Sequence, residues 1–383
     1  MLNQKELEEI RYALHQIPEI GLEEFETQSL ILKWVRVWTK DREDVQIKTW
    51  KTGILIKISG TVGRRTIAWR TDMDGLPVDE ETGLSCSSQH EGRMHACGHD
   101  VHMTVALGLL KLALEHPAEN HRLFLFQPAE ENHGGAKLMY EAGCFEEKWS
   151  VDEFYALHVN PNLKSGVIAT RPSTLFAGTC EVHVRFTGES GHAAFPQDAN
   201  DMLIASTSFV QISQTIISRN VNPVDSAVLT FGHLEAGQTA NVIAGDAKLD
   251  GTIRAFIPET LKKVKDRLQD VAEGIEKSFN CKVEVNFIQG AWLPVVNDHA
   301  LTEKFINFCN ARGNFQEIDA LMTGEDFGYL LQKFPGMMFW LGVDGKYPLH
   351  HSKMSPDISK LEISVALIHD WIYQRANAKK IDN

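Results

Sequence analysis

From Gln4 to Lys40, apolar residues recur at three- and four-residue spacing with one break, Pro18-Glu19-Ile20-Gly21. That periodicity predicts two helices joined by a turn. A polar stretch, Lys40-Asp41-Arg42-Glu43-Asp44, then gives way to strand-like runs at Val45–Trp50, Gly53–Ile58 and Arg65–Arg70, the first two separated only by Lys51-Thr52. An Ala- and Leu-rich helix is predicted from Val101 to Glu115, closed by Pro117, and further strands at Arg122–Phe126, Glu153–Leu157 and Met337–Leu341. The chain finishes on a periodic stretch, Lys360–Ala376, that reads as a helix. Strands alternating with helices predict an α/β fold with a mostly parallel sheet.

Between residues 179 and 289 the pattern changes. Cys180–Thr187 alternates as a strand, Pro196–Arg219 reads as a helix, Ala227–Leu234 and Ala247–Phe256 as strands, Glu259–Phe279 as a helix and Cys281–Ile288 as a last strand. The order β-α-β-β-α-β is that of a ferredoxin-like unit. We therefore expect an inserted α+β lid domain at 179–289 within a catalytic domain made of 1–178 and 290–383, with Gly178 and Gly290 as candidate hinges.

Four of the strands in the larger domain are each followed by residues able to bind a metal or move a proton. Asp72 and Asp74 follow the strand ending at Arg70, and Glu130-Glu131 follow the one ending at Phe126. His158 comes directly after Leu157, and His350-His351 lie beyond Met337–Leu341. In an open α/β sheet, ligands bind beyond the carboxyl ends of the strands, so these clusters should meet in one crevice. Residues 94–103, Met-His-Ala-Cys-Gly-His-Asp-Val-His-Met, add a thiol and three imidazoles at the start of the Ala/Leu-rich helix.

Composition narrows the functions open to such a chain. Its net charge of −13 over 383 residues lacks the basic face that nucleic acid or an anionic membrane would need. The polar start, Met1-Leu2-Asn3-Gln4-Lys5-Glu6, does not read as a signal peptide, and no apolar run approaches the ~20 residues of a spanning helix. Six scattered cysteines do not form a disulfide framework, so reduced thiols in a cytoplasm are expected. There is no phosphate-binding Gly-Lys-Ser/Thr loop, which leaves kinase and dehydrogenase readings without support.

Thiolate with imidazole and carboxylate favours a divalent ion: zinc, manganese or cobalt. Amide hydrolysis without a covalent nucleophile needs an activated water, a base and a cation for the developing oxyanion. The adjacent pair Glu130-Glu131 suits a division of labour in which one carboxylate binds metal and the other takes the proton. Arg254 could hold a substrate carboxylate with two parallel hydrogen bonds.

Asp72-Met-Asp-Gly-Leu-Pro77, His95-Ala-Cys-Gly-His-Asp-Val-His102, Pro128-Ala-Glu-Glu131, Ala156-Leu-His158, Gly191-His-Ala-Ala194, Asn241-Val-Ile243, Gly251-Thr-Ile-Arg254 and Gly324-Glu-Asp-Phe327 occur in that order along the chain. This set resembles the amidohydrolase branch of the aminoacylase and carboxypeptidase metallopeptidases, which includes hippurate hydrolase and the auxin-conjugate hydrolases. The resemblance implies two divalent metal ions per subunit, held by Cys97, His99, Glu131, His158 and His350, with His351 as the rival for the last place. It implies Glu130 as catalytic base and Asp72 in an active-site role, with Asp74 as its rival. His192, with Asn241 and Arg254, would contact substrate from the lid domain, and the same domain could form a homodimer. The substrate class implied is a small N-acyl amino acid. Thr49–Gly53, Met338–Val343 and Leu349-His350-His351 look most like a bacterial deacetylase of an acetylated diamino acid. Hippurate or a general acyl amino acid is the alternative, and a metal-binding scaffold without activity the remote one.

Overall fold

In the computed structural model the described residues are 2–378. Met1, which heads the polar start, and residues 379–383, the end of the expected catalytic domain, lie outside them. In chain order the elements are α1 (Gln4–His15), α2 (Phe25–Trp38), β1 (Val45–Trp50), β2 (Gly53–Ile58), β3 (Thr66–Asp72), α3 (His99–Glu115), β4 (His121–Gln127), α4 (Gly135–Glu141), β5 (Glu153–Asn160), β6 (Ile168–Thr170) and β7 (Ser173–Phe176). There follow β8 (Gly178–Thr187), β9 (Gly191–His192), α5 (Met202–Thr215), β10 (Ala227–Ala236), β11 (Val242–Ile243), β12 (Asp246–Ala255), α6 (Pro258–Phe279) and β13 (Lys282–Ile288). The last are β14 (Val295–Asn297), α7 (His299–Asn310), β15 (Phe315–Glu317), α8 (Phe327–Leu331), β16 (Gly336–Gly342) and α9 (Leu361–Ala376).

These elements form two compact units, one of residues 2–175, 295–319 and 326–378, the other of Phe176–Pro294 with Ala320–Glu325. The first unit is built on an eight-stranded sheet in the order β1-β2-β4-β3-β5-β16-β6-β15. Its centre, β4-β3-β5-β16, is parallel. On one flank β1 and β2 form a hairpin whose two-residue loop places Lys51 at φ +48°, and β2 runs antiparallel to β4. Every residue of β2, β3, β5 and β16 is buried, as strands covered on both faces require.

Helix α3 packs against β3 and between α1 and α9. Fifteen of its residues are buried, His99 to Leu114 apart from Lys111, so its apolar character runs round the whole circumference. Gly108 lets α9 approach: a Cβ there would lie 2.9 Å from Val365 Cγ1. The helix begins at His99, two residues before the apolar pattern does, because Gly98 caps it at φ +87° and leaves His99 and Asp100 in the first turn. The most buried helix thus carries the Cys/His motif at its N-terminus.

The second unit is a four-stranded antiparallel sheet in the order β10-β12-β8-β13, which is the ferredoxin-like arrangement. Cys180, Val182, Val184 and Phe186 of β8 join one buried cluster with Leu261, Val264, Leu268, Val271 and Ile275 of α6, the latter spaced by three and four. The helix expected over Pro196–Arg219 is shorter. Asp201 accepts hydrogen bonds from the Leu203 and Ile204 amides and so starts α5 at Met202, while a wider turn over Ile216–Asn220 ends it. Among the described residues, no helix is long and apolar enough to cross a membrane.

Candidate metal centre

Parallel strands bring their carboxyl ends together. Asp72, the last residue of β3, is in register with Gln127, the last of β4, and the Pro128–Glu131 loop follows at once. His158 on β5 pairs with Trp340 on β16. Gly98 between Cys97 and His99 is required twice over: its φ is +87°, and a Cβ would fall 2.5 Å from Val159 Cγ2.

Around this motif Cys97 Sγ lies 3.3 Å from both His158 Nε2 and His350 Nε2. His350 Nε2 is 3.4 Å from Glu131 Oε1, which is 3.9 Å from His99 Nε2. Cys97, His99 and His158 form one group of converging donors, Cys97, Glu131 and His350 a second, and His99, Glu130 and Glu131 a third; in each the donor atoms lie within 4.8 Å of one another. Two groups sharing one sulfur fit a pair of ions. His351 is turned away, its ring stacked 4.6 Å from Tyr347 and its Nδ1 accepting the Lys353 amide.

Hydrogen bonding on the outer side sets the tautomers. His99 Nδ1 donates to the Asp74 carbonyl at 2.8 Å and His158 Nδ1 to the Val159 carbonyl at 2.9 Å, leaving both Nε2 lone pairs facing the cluster. His99 Nε2 and Glu131 Oε1 are buried with no hydrogen-bond partner. Buried polar atoms left without partners in this way are costly unless a cation meets them. Burial, followed by the Glu131, Glu130 and Asp72 carboxylates, holds the Cys97 thiol well above its ordinary pKa, so its thiolate form calls for a compensating positive charge. Burial lowers the His99 pKa, but Asp72, Asp74 and Glu131 outweigh it and raise it to about 10, so without a cation Nε2 keeps a proton that a bound ion would displace. His158 is pushed well below its usual value, by burial first and then by His102, and stays neutral as a ligand must. The donor set and its surroundings fit divalent metal.

The two aspartates have different places. Asp72 accepts from His102 Nδ1 at 2.6 Å and Arg70 Nη1 at 2.7 Å, and lies 3.8 Å from His99 Nε2. Burial alone would raise its pKa, but His99, His102 and Arg70 hold it well below the carboxylate range. Asp74 receives the Glu131 amide on Oδ2 at 3.0 Å and so ties that residue to His99. His102, despite standing three residues after His99, has both nitrogens committed, because its Nε2 accepts the Val159 amide at 3.0 Å. It orients Asp72 and leaves no lone pair for a metal.

The sequence pattern alone does not single out Arg70. It is fully buried and spans Asp72, Gln127 (2.9 Å) and Asp326 (2.8 Å). Asp326 in turn donates its amide to Glu130 Oε1 at 3.3 Å and accepts the Ala136 amide. The signal available was position: Arg70 precedes Asp72 by two on one strand, hence on the same face.

In the second unit, His192 on β9 pairs with Val242 on β11, and the Ala193 amide donates to the Asn241 carbonyl at 3.1 Å. His192 and Asn241 thus share one exposed corner, next to a cleft of about 520 Å³ lined in part by Ala193, Thr239, Ala240 and Val242. Arg254 is not with them. It sits eight residues along β12 from Asp246, on the order of 25 Å away for an extended strand, with its guanidinium on the Thr252 hydroxyl.

Comparison with known proteins gives a consistent picture. The peptidase family M20/M25/M40 matches over residues 68–374. An N-acetyldiaminopimelate deacetylase of Streptococcus pneumoniae (strain Taiwan19F-14) is 53% identical over 373 residues, which are 97% of this chain and 99% of the relative. A provisionally assigned aminohydrolase from methicillin-resistant Staphylococcus aureus superposes with a TM-score of 0.90 at 28% identity, covering 97% of this chain and 96% of that one. The Bacillus subtilis YXEP protein, described as a dinuclear metal binding peptidase of the M20 family, gives 0.84 at 27% identity over 97% and 98%.

Proposed function

The chain belongs to the peptidase family M20/M25/M40, and from that premise we propose that it hydrolyses N-acetyl-LL-2,6-diaminopimelate to acetate and LL-diaminopimelate, a step of lysine biosynthesis. The near full-length likeness to an N-acetyldiaminopimelate deacetylase supports the substrate. One observation carries the chemistry: Glu130 is a buried carboxylate among the donor atoms of His99 and Glu131, yet it belongs to neither group built on Cys97.

Cys97, His99, Glu131, His158 and His350 would hold two divalent ions, with zinc, manganese and cobalt all compatible with the donor set. When bound, such ions would supply Lewis-acid polarisation of a water and of an acyl carbonyl, with the pKa of the water lowered to about 7. Glu130 then acts as base, taking the proton from the attacking water on its carboxylate and returning it to the leaving amine. The Asp326 amide on Oε1 keeps that carboxylate turned in place. Asp72 fixes His102 and faces His99, keeping the imidazole side of the cluster rigid. His192 and Asn241 would supply polar groups for the acyl carbonyl and Arg254 a guanidinium for a carboxylate; separated by the length of β12, they would serve one substrate only from two copies of the chain. Cytoplasmic residence agrees with a biosynthetic step and with six cysteines that are all free thiols.

Acetate release from N-acetyl-LL-2,6-diaminopimelate should exceed that from acetylmethionine, and benzoate release from hippurate, by at least tenfold in kcat/KM. Equal or reversed rates would move the assignment to a general acyl amino acid hydrolase. We also propose a homodimer through the second unit. Leu203, Ile204 and Ile212 of α5 are each 44–48% exposed, and β10 is an edge strand with an unpaired side. Sedimentation at micromolar concentration should return twice the 43.0 kDa chain mass, and a monomer would remove this reading.

A further inference from the structure

The loop that delivers Glu130 has an anchor that the chemistry above does not use. Ala129, between Pro128 and Glu130, is not glycine, yet its φ is +56°. A left-handed conformation at a residue with a Cβ persists only where the surroundings impose it, and such residues gather at active sites. Both backbone groups of Ala129 are pinned. Its carbonyl accepts the Gly135 amide at 3.0 Å, and its amide donates to Glu24 Oε1 at 2.8 Å.

Glu24 comes from the other end of the sequence, in the connection between α1 and α2, and none of its surface is exposed. Its second oxygen accepts the Thr52 hydroxyl at 2.5 Å, from the turn joining β1 and β2. The same connection touches the Glu130 loop directly: a Cβ on Gly21 would lie 2.7 Å from Ala129 Cα and would also collide with Asn132 Oδ1. The start of α2, the β1–β2 turn and the Pro128–Glu131 loop therefore meet at one buried carboxylate. Burial raises that carboxylate to a pKa of about 7, against the pull of its hydrogen bonds from Thr52 and Ala129. A carboxyl placed at such a cost and paired with neither a cation nor the metal ligands serves as an acceptor. The neighbouring ligand Glu131 has its own anchor, the Asp74 carboxylate on its amide.

We propose that Glu24 is a positioning residue for the reaction: through the Ala129 amide it locks the left-handed turn that presents Glu130 to the metal cluster. Small displacements of a reacting group carry large rate costs, on the order of a hundredfold for about 1 Å. Because the effect passes through Glu130 alone, it should appear in kcat and vanish where Glu130 is already gone.

The inference rests on Glu130 as base, so the wild type and Glu130→Ala are measured beside the Glu24 variants with zinc-loaded enzyme and the acetylated diamino acid. Glu24→Ala should lower kcat roughly ten- to a hundredfold, with KM within about threefold and the metal content per subunit unchanged. Glu24→Gln, which keeps an acceptor for the Ala129 amide, should retain kcat within about threefold. In a Glu130→Ala background, Glu24→Ala should add no further loss. A folded Glu24→Ala enzyme with wild-type kcat, a Glu24→Gln enzyme as slow as Glu24→Ala, or losses that multiply with Glu130→Ala would each overturn the proposal. If Glu24→Ala is recovered only unfolded, Thr52→Val removes one of the carboxylate's two donors. It should cost a few-fold in kcat, again absent without Glu130, and an unchanged kcat would overturn the proposal. Wild type and Glu130→Ala turning over alike would instead overturn the assignment of the base.

Discussion

Glu130→Ala should lower kcat by roughly 10²–10⁴-fold, the range observed when a positioned general base is removed. At about 1.4 kcal/mol per decade, that is roughly 3–5 kcal/mol of transition-state stabilisation. The loss should fall on kcat rather than KM, because a base that acts on the water contributes little to holding the substrate before reaction. Metal content should stay at the wild-type level, since neither group of donors built on Cys97 includes Glu130. Stability should hardly change or should rise slightly when metal is stripped away, because the variant removes one of two adjacent carboxylates from a water-poor site. Steady-state kinetics, metal analysis and thermal melting of the stripped protein, all on the same preparation, check these outcomes. A variant within tenfold of wild type, with its full metal content, would assign the proton transfer to another group. A variant that lost activity and metal together would place Glu130 among the ligands.

Much of this arrangement was legible because polar clusters follow apolar strands. Val45–Trp50 and Gly53–Ile58 appear at the boundaries the alternation predicts, and the two residues between them leave room only for a hairpin. The second unit was readable for the same reason, with helices and strands long enough to show their periods. Short elements escaped. Strands of three or four residues such as β6, β7, β14 and β15, and the five-residue α8, have no period to display. The segment Ala320–Glu325 packs with the second unit although it lies some 30 residues past the expected return to the first at residue 290. That partition depends on tertiary contacts rather than on local pattern.

Within the site, donors that point inward were visible as residue types near strand ends, whereas the groups that aim them were not. Arg70 is an arginine inside an apolar strand, and only the folded register shows that it bridges Asp72 and Asp326, which are far apart in sequence. Glu24 lies more than a hundred residues before the loop it anchors. His102 shows the converse error open to motif reading. It has the spacing of a ligand on a helix, yet the Val159 amide already occupies its lone pair.

Removal of metal should have the largest effect of all. Dialysis against a chelator is expected to abolish turnover, and zinc, manganese or cobalt should restore it. The same treatment should lower thermal stability, because ions that bind only the folded chain stabilise it by about 2.7 kcal/mol per site at a hundredfold excess over Kd. For two sites that approaches roughly 5 kcal/mol, and a unit of this size shifts by about 2–4 °C per kcal/mol, so a fall in Tm of about 10–20 °C is expected. The structural reason is the state of the donors without a cation. His99 Nε2 and Glu131 Oε1 are buried without partners, and the Cys97 thiol keeps its proton among three carboxylates. A bound ion satisfies these groups and displaces the thiol proton, so its affinity should weaken as pH falls and protons compete for the ligands. Calorimetric titration of the stripped protein with zinc in two buffers of different ionisation enthalpy reports that proton release directly. A chelated protein that kept both its turnover and its melting temperature would show that Cys97, His99, Glu131, His158 and His350 form a structural cluster, and the hydrolytic reading would then lose its means of activating water.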